Sequence, residues 1–488
     1  MRKQLKDYKY DTILFPTDWR YAAAIIGLKQ YFDFWGQEFH GCYEIFTVTE
    51  NCNLFDNSEE LLGFEGLAYR RENIIEKNYL LFAEYFFGSD MQHTKVEKKL
   101  KKEEFTEEEI REVNSLLTGT EANTILKKVF KGIKFDGTNP EQIIELLENN
   151  RSEIIKETFR NKMSMYRNFA NVKLLFSEHN LHCRLLGFNV DRNRKSKSTS
   201  YNFDTRTLVT TDCLEFDFIP FAFTKSYDAV MINNNYSIDL LMQTYNKINA
   251  VLDNLSERQN IKVTLLKTIA DSISFLKYDV EVIVKERDKE YYESLFIRKS
   301  AISAMEKITK KLVSKHKEFG DLKFRLELGK DYWLDVQEEI VDCCLNSLGF
   351  EKLIEKLLKI KEIKGVNRLY LHGIINILIE LDWEWKGEIN KMENEKKLSE
   401  GIKRAKNCAF VVASSIPENK LCSYRQKLIS ALVFHDYDRV SEIILQLSAY
   451  ASVSMPFAYK FFENPEQNKN LVFAFANGLE KYMENKEK

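Results

Sequence analysis

Past about residue 300 the apolar residues fall almost only at helical spacing, and this change of period sets what the chain can fold into. Val440, Ile443, Ile444 and Leu447 stand at i, i+3, i+4 and i+7, one stripe along one helix face. Val472, Phe475, Ala476 and Leu479 repeat that spacing. Pro417, Pro456 and Pro465 punctuate the run, because proline lacks the N–H that a helix interior needs. The expected product is an all-α C-terminal helical bundle over 365–488, reached through a helical connection over 301–364. Residues 1–300 are expected to form a mixed α/β portion, and the fold class expected for the whole is α+β.

Within the first portion, Pro16-Thr17-Asp18 opens a helix over Trp19–Phe34, with Asp18 placed to accept the free amides of its first turn. Tyr43–Val48 reads as a strand. Residues 95–111 are dominated by Lys and Glu, which marks a solvated helix or a flexible excursion. Asn139-Pro140 opens another helix, and a long helical stretch is expected from Ser152 to about His179. After Gly187 the character changes to β-like segments. Thr207–Cys213 is rich in β-branched residues. In Leu214–Phe218 apolar and acidic residues alternate, so a strand with Glu215 and Asp217 on its wet face is expected. Val280–Val284 reads as a further strand.

Composition narrows the class. The 488 residues suggest about two or three domains, and 44% hydrophobic residues suffice for a sizeable core. A formal net charge of −2 argues against a surface that coats nucleic acid throughout, leaving local patches as the means of contact. The 8 cysteines are scattered, unlike a disulfide framework. The N-terminus is polar and charged, and the apolar stretch Tyr21–Leu28 is too short for a signal peptide or a span. The expected compartment is the cytoplasm, with no membrane partner.

A search for catalytic motifs finds no GxxxxGK[ST], GxSxG or HExxH. An adjacent His435-Asp436 can bind metal in a phosphohydrolase if further ligands converge on it, but Asp436 and Asp438 equally suit a turn and a helix cap. His179, His182 and Cys183, with Cys213 further on, supply zinc-ligand chemistry without a CxxC knuckle; small buried cysteines are the commoner reading. Cys343-Cys344 reads as helix packing. Neither a metal nor another cofactor is expected. Residues 191–198 form a basic polar loop in which Arg192, Arg194, Lys195 and Lys197 suit phosphate contact, or simply solvation. Asn233, Asn234 and Asn235 suit base edges, or a turn with an Asn helix cap. Glu215 and Asp217 could do acid–base work, though the wet face of a strand is the commoner reading and nothing singles them out as catalytic.

Three stretches together resemble the large subunit of the type I-B CRISPR Cascade complex: Thr211–Phe223 around Pro220-Phe221-Ala222-Phe223; Val230–Ser237; and, at the C-terminus, Ser423–Leu432 with Val472–Leu479. The resemblance implies a non-catalytic subunit of an RNA-guided assembly. Its implied partners are CRISPR RNA, target double-stranded DNA, the other Cascade subunits and a helicase-nuclease. Such subunits read the protospacer-adjacent motif, help open the duplex and dock the nuclease, while base pairing with the guide reads sequence. In that reading Arg192, Arg194, Lys195 and Lys197 contact phosphate, and Asn233, Asn234 and Asn235 lie near the adjacent motif. Some relatives carry paired CxxC motifs; this chain has none, so no zinc module is carried over. Two other classes stay open: a metal-dependent nuclease or phosphohydrolase built on His435/Asp436, and a helical scaffold that binds only proteins.

Overall fold

A computed structural model describes residues 1–161, 213–253, 278–285, 292–314, 322, 325–361, 367–389 and 395–480, apart from 7, 37–40, 51, 103, 226–228 and 331. The chain divides into two compact units, Met1–Arg258 with Val280–Leu295, and Gln259–Asp279 with Phe296–Lys488. The fold class is α+β: small antiparallel sheets in the first unit and a helical C-terminal region.

The first unit begins with β1 (Arg2–Gln4) and β2 (Thr12–Leu14), continues through helix α1 (Trp19–Phe34), and returns as β3 (Tyr43–Thr47) and β4 (Glu65–Tyr69). The four strands form one antiparallel sheet in the order β1-β2-β4-β3. Only β3 was legible as a strand; β1 and β2, at three residues each, are too short to show a period. Helix α1 starts and ends where the sequence places it. The Asp18 carboxylate accepts from Arg20 N at 2.8 Å and from Tyr21 N at 3.4 Å. Ala23, Ala24 and Gly27, at i, i+1 and i+4, keep one flank of the helix thin, and that flank is fully buried.

What fills the space against α1 is Leu214–Ala222, and here the expected strand is replaced by a 3-10 helix whose nine residues are all buried. A Cβ on Gly27 would stand 2.1 Å from the Phe218 carbonyl oxygen, so glycine is what lets the two backbones touch. The alternation of acid and aromatic is therefore not the wet and dry faces of a strand. At three residues per turn the segment is buried on every side, and its acids have internal partners. Around it Tyr31, Tyr79, Phe82 and Phe221 interlock with Phe218 or one another at centroid distances of 4.7–5.8 Å. Beyond it β5 (Ala229–Asn233), β6 (Val280–Lys285) and β7 (Glu293–Ile297) form a three-stranded sheet in that order. Within the charged region 95–111 the helix Gln92–Lys99 ends and the helix Glu107–Leu117 begins, the second opened by a capping box at Thr106/Glu109. Of the long helix expected from Ser152, the described part is Arg151–Asn161.

Among the described residues a hairpin interrupts the helical connection expected over 301–364. Strands β8 (Arg325–Gly329) and β9 (Tyr332–Asp335) form a hairpin with a register shift between Glu327 and Gly329. Its strands are short, and the pattern of Leu326 and Leu334 opposed across the pair hides among charged neighbours. Helices follow at Val336–Leu345, Glu351–Lys361, Arg368–Ile389, Glu395–Ser415, Glu418–Val433, Tyr437–Ala451, Pro456–Glu463 and Pro465–Gly478. Pro456 and Pro465 occupy first-turn positions, where no amide is missed. The stripe Val440, Ile443, Ile444 and Leu447 is buried, as are Val472, Phe475, Ala476 and Leu479. No helix among the described residues is long and apolar enough to cross a membrane.

Candidate nucleic-acid interface

The basic loop with Arg192, Arg194, Lys195 and Lys197 lies outside the described residues, as do His179, His182 and Cys183. Cys213 is partly exposed and is not in a disulfide. Cys344 is buried in the helix Val336–Leu345, and burial pushes its thiol well above the usual range, consistent with packing.

The three asparagines separate on folding. Asn233 and Asn234 are buried: Asn233 Nδ2 donates to Glu281 Oε2 at 3.1 Å, and Asn234 Nδ2 donates to Thr244 Oγ1 at 3.0 Å. Asn235 is exposed at the turn, and its amide donates to Pro16 O at 2.8 Å. The following helix, Ile238–Asp253, is capped by Ser237 and Glu65 rather than by asparagine: Leu240 N donates to Ser237 Oγ at 3.1 Å and Ile238 N to Glu65 Oε2 at 2.8 Å.

Glu215 and Asp217 are fully buried, not solvated. Glu215 Oε1 accepts from Tyr69 OH at 2.7 Å, and the Asp217 carbonyl accepts from Tyr79 OH at 2.7 Å. His435 and Asp436 form the joint between the helices Glu418–Val433 and Tyr437–Ala451. His435 has φ 55°, a left-handed conformation that reverses the chain. Asp436 caps the second helix by accepting from Arg439 N at 3.1 Å, and His435 Nδ1 meets Tyr437 OH at 2.9 Å. These roles match the turn-and-cap reading. Among the described residues no group of three His, Cys, Asp or Glu is placed to hold a metal ion.

The joint at His435 builds a surface that the sequence did not announce. Lys420, Tyr424 and Lys427 stand at i, i+4 and i+7 of the helix Glu418–Val433, on the flank beside buried Leu421, Leu428 and Leu432. Folding back, the second helix brings Tyr450 beside Lys420. The Lys420 ammonium lies 4.9 Å from the Tyr450 ring centroid and donates to its hydroxyl at 3.1 Å, and this hydrogen bond raises the lysine pKa. Lys427 lies 5.9 Å from the Tyr424 ring. Phe434, at the joint, is 78% exposed. Lysines resting on tyrosine rings offer point charges to phosphates and flat π-faces to bases. Arg425, in the same stretch, turns inward: it is buried and donates to Leu479 O at 2.9 Å and Glu480 Oε1 at 3.1 Å.

Two buried polar clusters brace the helices. Lys361 Nζ reaches Asn477 Oδ1 at 2.9 Å, Asn477 O at 3.1 Å and Glu480 Oε1 at 2.8 Å, at the C-terminal end of the helix Pro465–Gly478 where a cation opposes the helix dipole. Asp382 accepts from Phe350 N at 2.5 Å and Asn470 Nδ2 at 2.9 Å and pairs with Lys386 at 2.9 Å. Burial pushes the Asp382 carboxyl up to about 6 and the Lys386 ammonium down to about 7. Perturbed groups of this kind can mark active sites, but here Asp382 is occupied by backbone and neighbouring helices, which makes it a brace.

A family model described as CRISPR-associated protein Csx8 matches residues 10–257 and 243–479 of the chain. No curated protein and no solved structure matches it.

Proposed function

From a chain that belongs to the CRISPR-associated protein Csx8 family, we propose a non-catalytic large subunit of an RNA-guided surveillance complex similar to type I-B Cascade. In this reading the protein works with CRISPR RNA, other Cascade subunits, target duplex DNA and a helicase-nuclease. It inspects the adjacent motif and steadies the opened duplex, while the guide supplies sequence recognition. The observation that carries the reading is the Lys420/Tyr424/Lys427/Tyr450 face, a cation-on-aromatic surface suited to a single strand without sequence preference. Such a face also reconciles nucleic-acid contact with a formal net charge of −2, because it needs only a local patch. Arg192, Arg194, Lys195 and Lys197 are proposed as phosphate contacts. Of the asparagines, Asn235 is the one whose exposure suits contact near the adjacent motif.

The test is selection from duplexes that carry a guide-matched target and a short randomised flank, using the complex purified from cells. Enrichment of a particular flank, lost when Asn235 and its neighbours are substituted, supports motif reading by this subunit. Recovery of every flank in its input proportion would reject that role.

A further inference from the structure

Four lysines crowd one corner of the first unit. Lys127 and Lys128 lie in the last turn of the helix Thr124–Val129, and Lys131 and Lys134 follow the helix directly. All four are exposed, and no acid falls between Glu121 and Asp136. The corner is fixed from beneath. Leu126, Phe130 and Phe135 are buried in one apolar cluster. Asn123 caps the helix by accepting from Leu126 N at 2.9 Å. Gly132, at φ 82°, turns the chain through a left-handed conformation. Past the turn Asn114 holds Phe135 twice, donating from Nδ2 to its carbonyl at 2.7 Å and accepting its amide at 2.9 Å. Asn139 Nδ2 donates to Lys134 O at 3.1 Å.

Stability does not explain all four. Lysine in a last helical turn offsets the helix dipole, which accounts for Lys127 and Lys128 but not for Lys131 and Lys134. Among the described residues none of the four ammonium groups has a hydrogen-bond or ion-pair partner. Acids of the adjoining helix Glu107–Leu117 are engaged elsewhere: Glu109 with Lys102, Glu112 with Lys99 and Glu107 with Arg111. Asp136, just beyond the lysines, accepts from Thr138 N and Thr138 Oγ1 at 2.8 Å each. Like charges held this close repel one another, and a bound polyanion relieves that repulsion.

The corner offers charge without stacking. The aromatics of this segment, Phe130 and Phe135, are buried, whereas surfaces for single strands combine their charges with exposed rings. Lysine is a point charge that meets phosphate oxygens without selecting a base. We propose that Lys127, Lys128, Lys131 and Lys134 hold the phosphate backbone of duplex DNA, independently of its sequence. The proposal rests on the function proposed above and gives the duplex a contact in the first unit, separate from the tyrosine-bearing face offered to a single strand.

Fluorescence anisotropy of the full chain reads this contact, with labelled duplex DNA of arbitrary sequence, single-stranded DNA and single-stranded RNA over a salt series. In K127Q/K128Q/K131Q/K134Q the expected result is duplex binding about tenfold weaker at low salt, with a salt slope reduced by about 3. Single-strand binding and the melting temperature stay at wild-type values. K131Q/K134Q, which leaves the helix end its two lysines, takes about half of that slope change. K127R/K128R/K131R/K134R keeps the duplex slope, because charge is what the backbone meets. Wild-type duplex affinity and slope in the glutamine variants overturn the proposal, as does an equal loss on all three probes. If K420A/K427A still weakens single-strand binding in either case, the proposed function survives. A wild-type chain that binds none of the probes overturns both.

Discussion

Tyr69 donates its hydroxyl to Glu215 across 2.7 Å, joining positions 146 residues apart at the buried centre of the first unit. Burial and the neighbouring carboxylate push the phenol well above its ordinary value, so it remains a donor throughout the working pH range. Tyr69→Phe leaves Glu215 buried without that hydrogen bond. The expected cost is about 1–3 kcal/mol in urea unfolding; a loss below about 0.5 kcal/mol would show that the bond contributes nothing.

Gly27→Ala sets two effects against each other. Alanine improves helix propensity by about 1 kcal/mol. The new methyl, however, would stand 2.1 Å from the Phe218 carbonyl, and backbone cannot swing away as a side chain can. Overpacking of this kind costs about 1–3 kcal/mol, so net destabilisation is expected. A thermal melt that rises would mean the 3-10 segment does not sit against α1 as described.

Acid should loosen the helical unit through His372. Burial, then the Lys361 charge, holds its pKa below the ordinary 6.5. The unfolded chain therefore takes up the proton first, and stability present above pH 6.5 is lost as pH falls through the lower folded value. His372→Gln should flatten this part of a stability-against-pH curve. An unchanged slope just below pH 6.5 would assign the loss to other groups.

On the proposed strand-binding face, Lys420→Ala with Lys427→Ala should weaken single-stranded DNA binding at low salt and lower the salt slope by about 2. Tyr424→Ala should reduce affinity with little change in slope, because stacking carries no counterions; the expected loss is about 1–3 kcal/mol. Equal affinities for all variants in anisotropy titrations would remove this face from the account.

The sequence resolved what is local. Asp18 before an apolar run marked the start of α1, and Pro456 and Pro465 marked breaks between helices, because caps and prolines act within a few residues. It failed where partners are distant. The alternation in Leu214–Phe218 imitates a strand, and only Tyr69, Arg2 and Arg71, brought in from the first sheet, explain why its acid is inside. The hairpin Arg325–Asp335 was lost among helices for want of length. Tyr424 and Lys427 lay in a stretch already singled out for resemblance, yet the pairing of Lys420 with Tyr450 depends on a chain reversal at His435. The same reversal explains why His435-Asp436 looked like a ligand pair: a polar joint and a helix cap use the same residue types.

This CRISPR-associated chain is proposed to work inside an RNA-guided complex. The direct measurement is to tag the chain in its native host, purify it gently at low salt and sequence the RNA that accompanies it. Repeat-derived guide RNAs together with several partner proteins are the predicted result. An RNA-free, partner-free chain from cells that express their CRISPR array would contradict it.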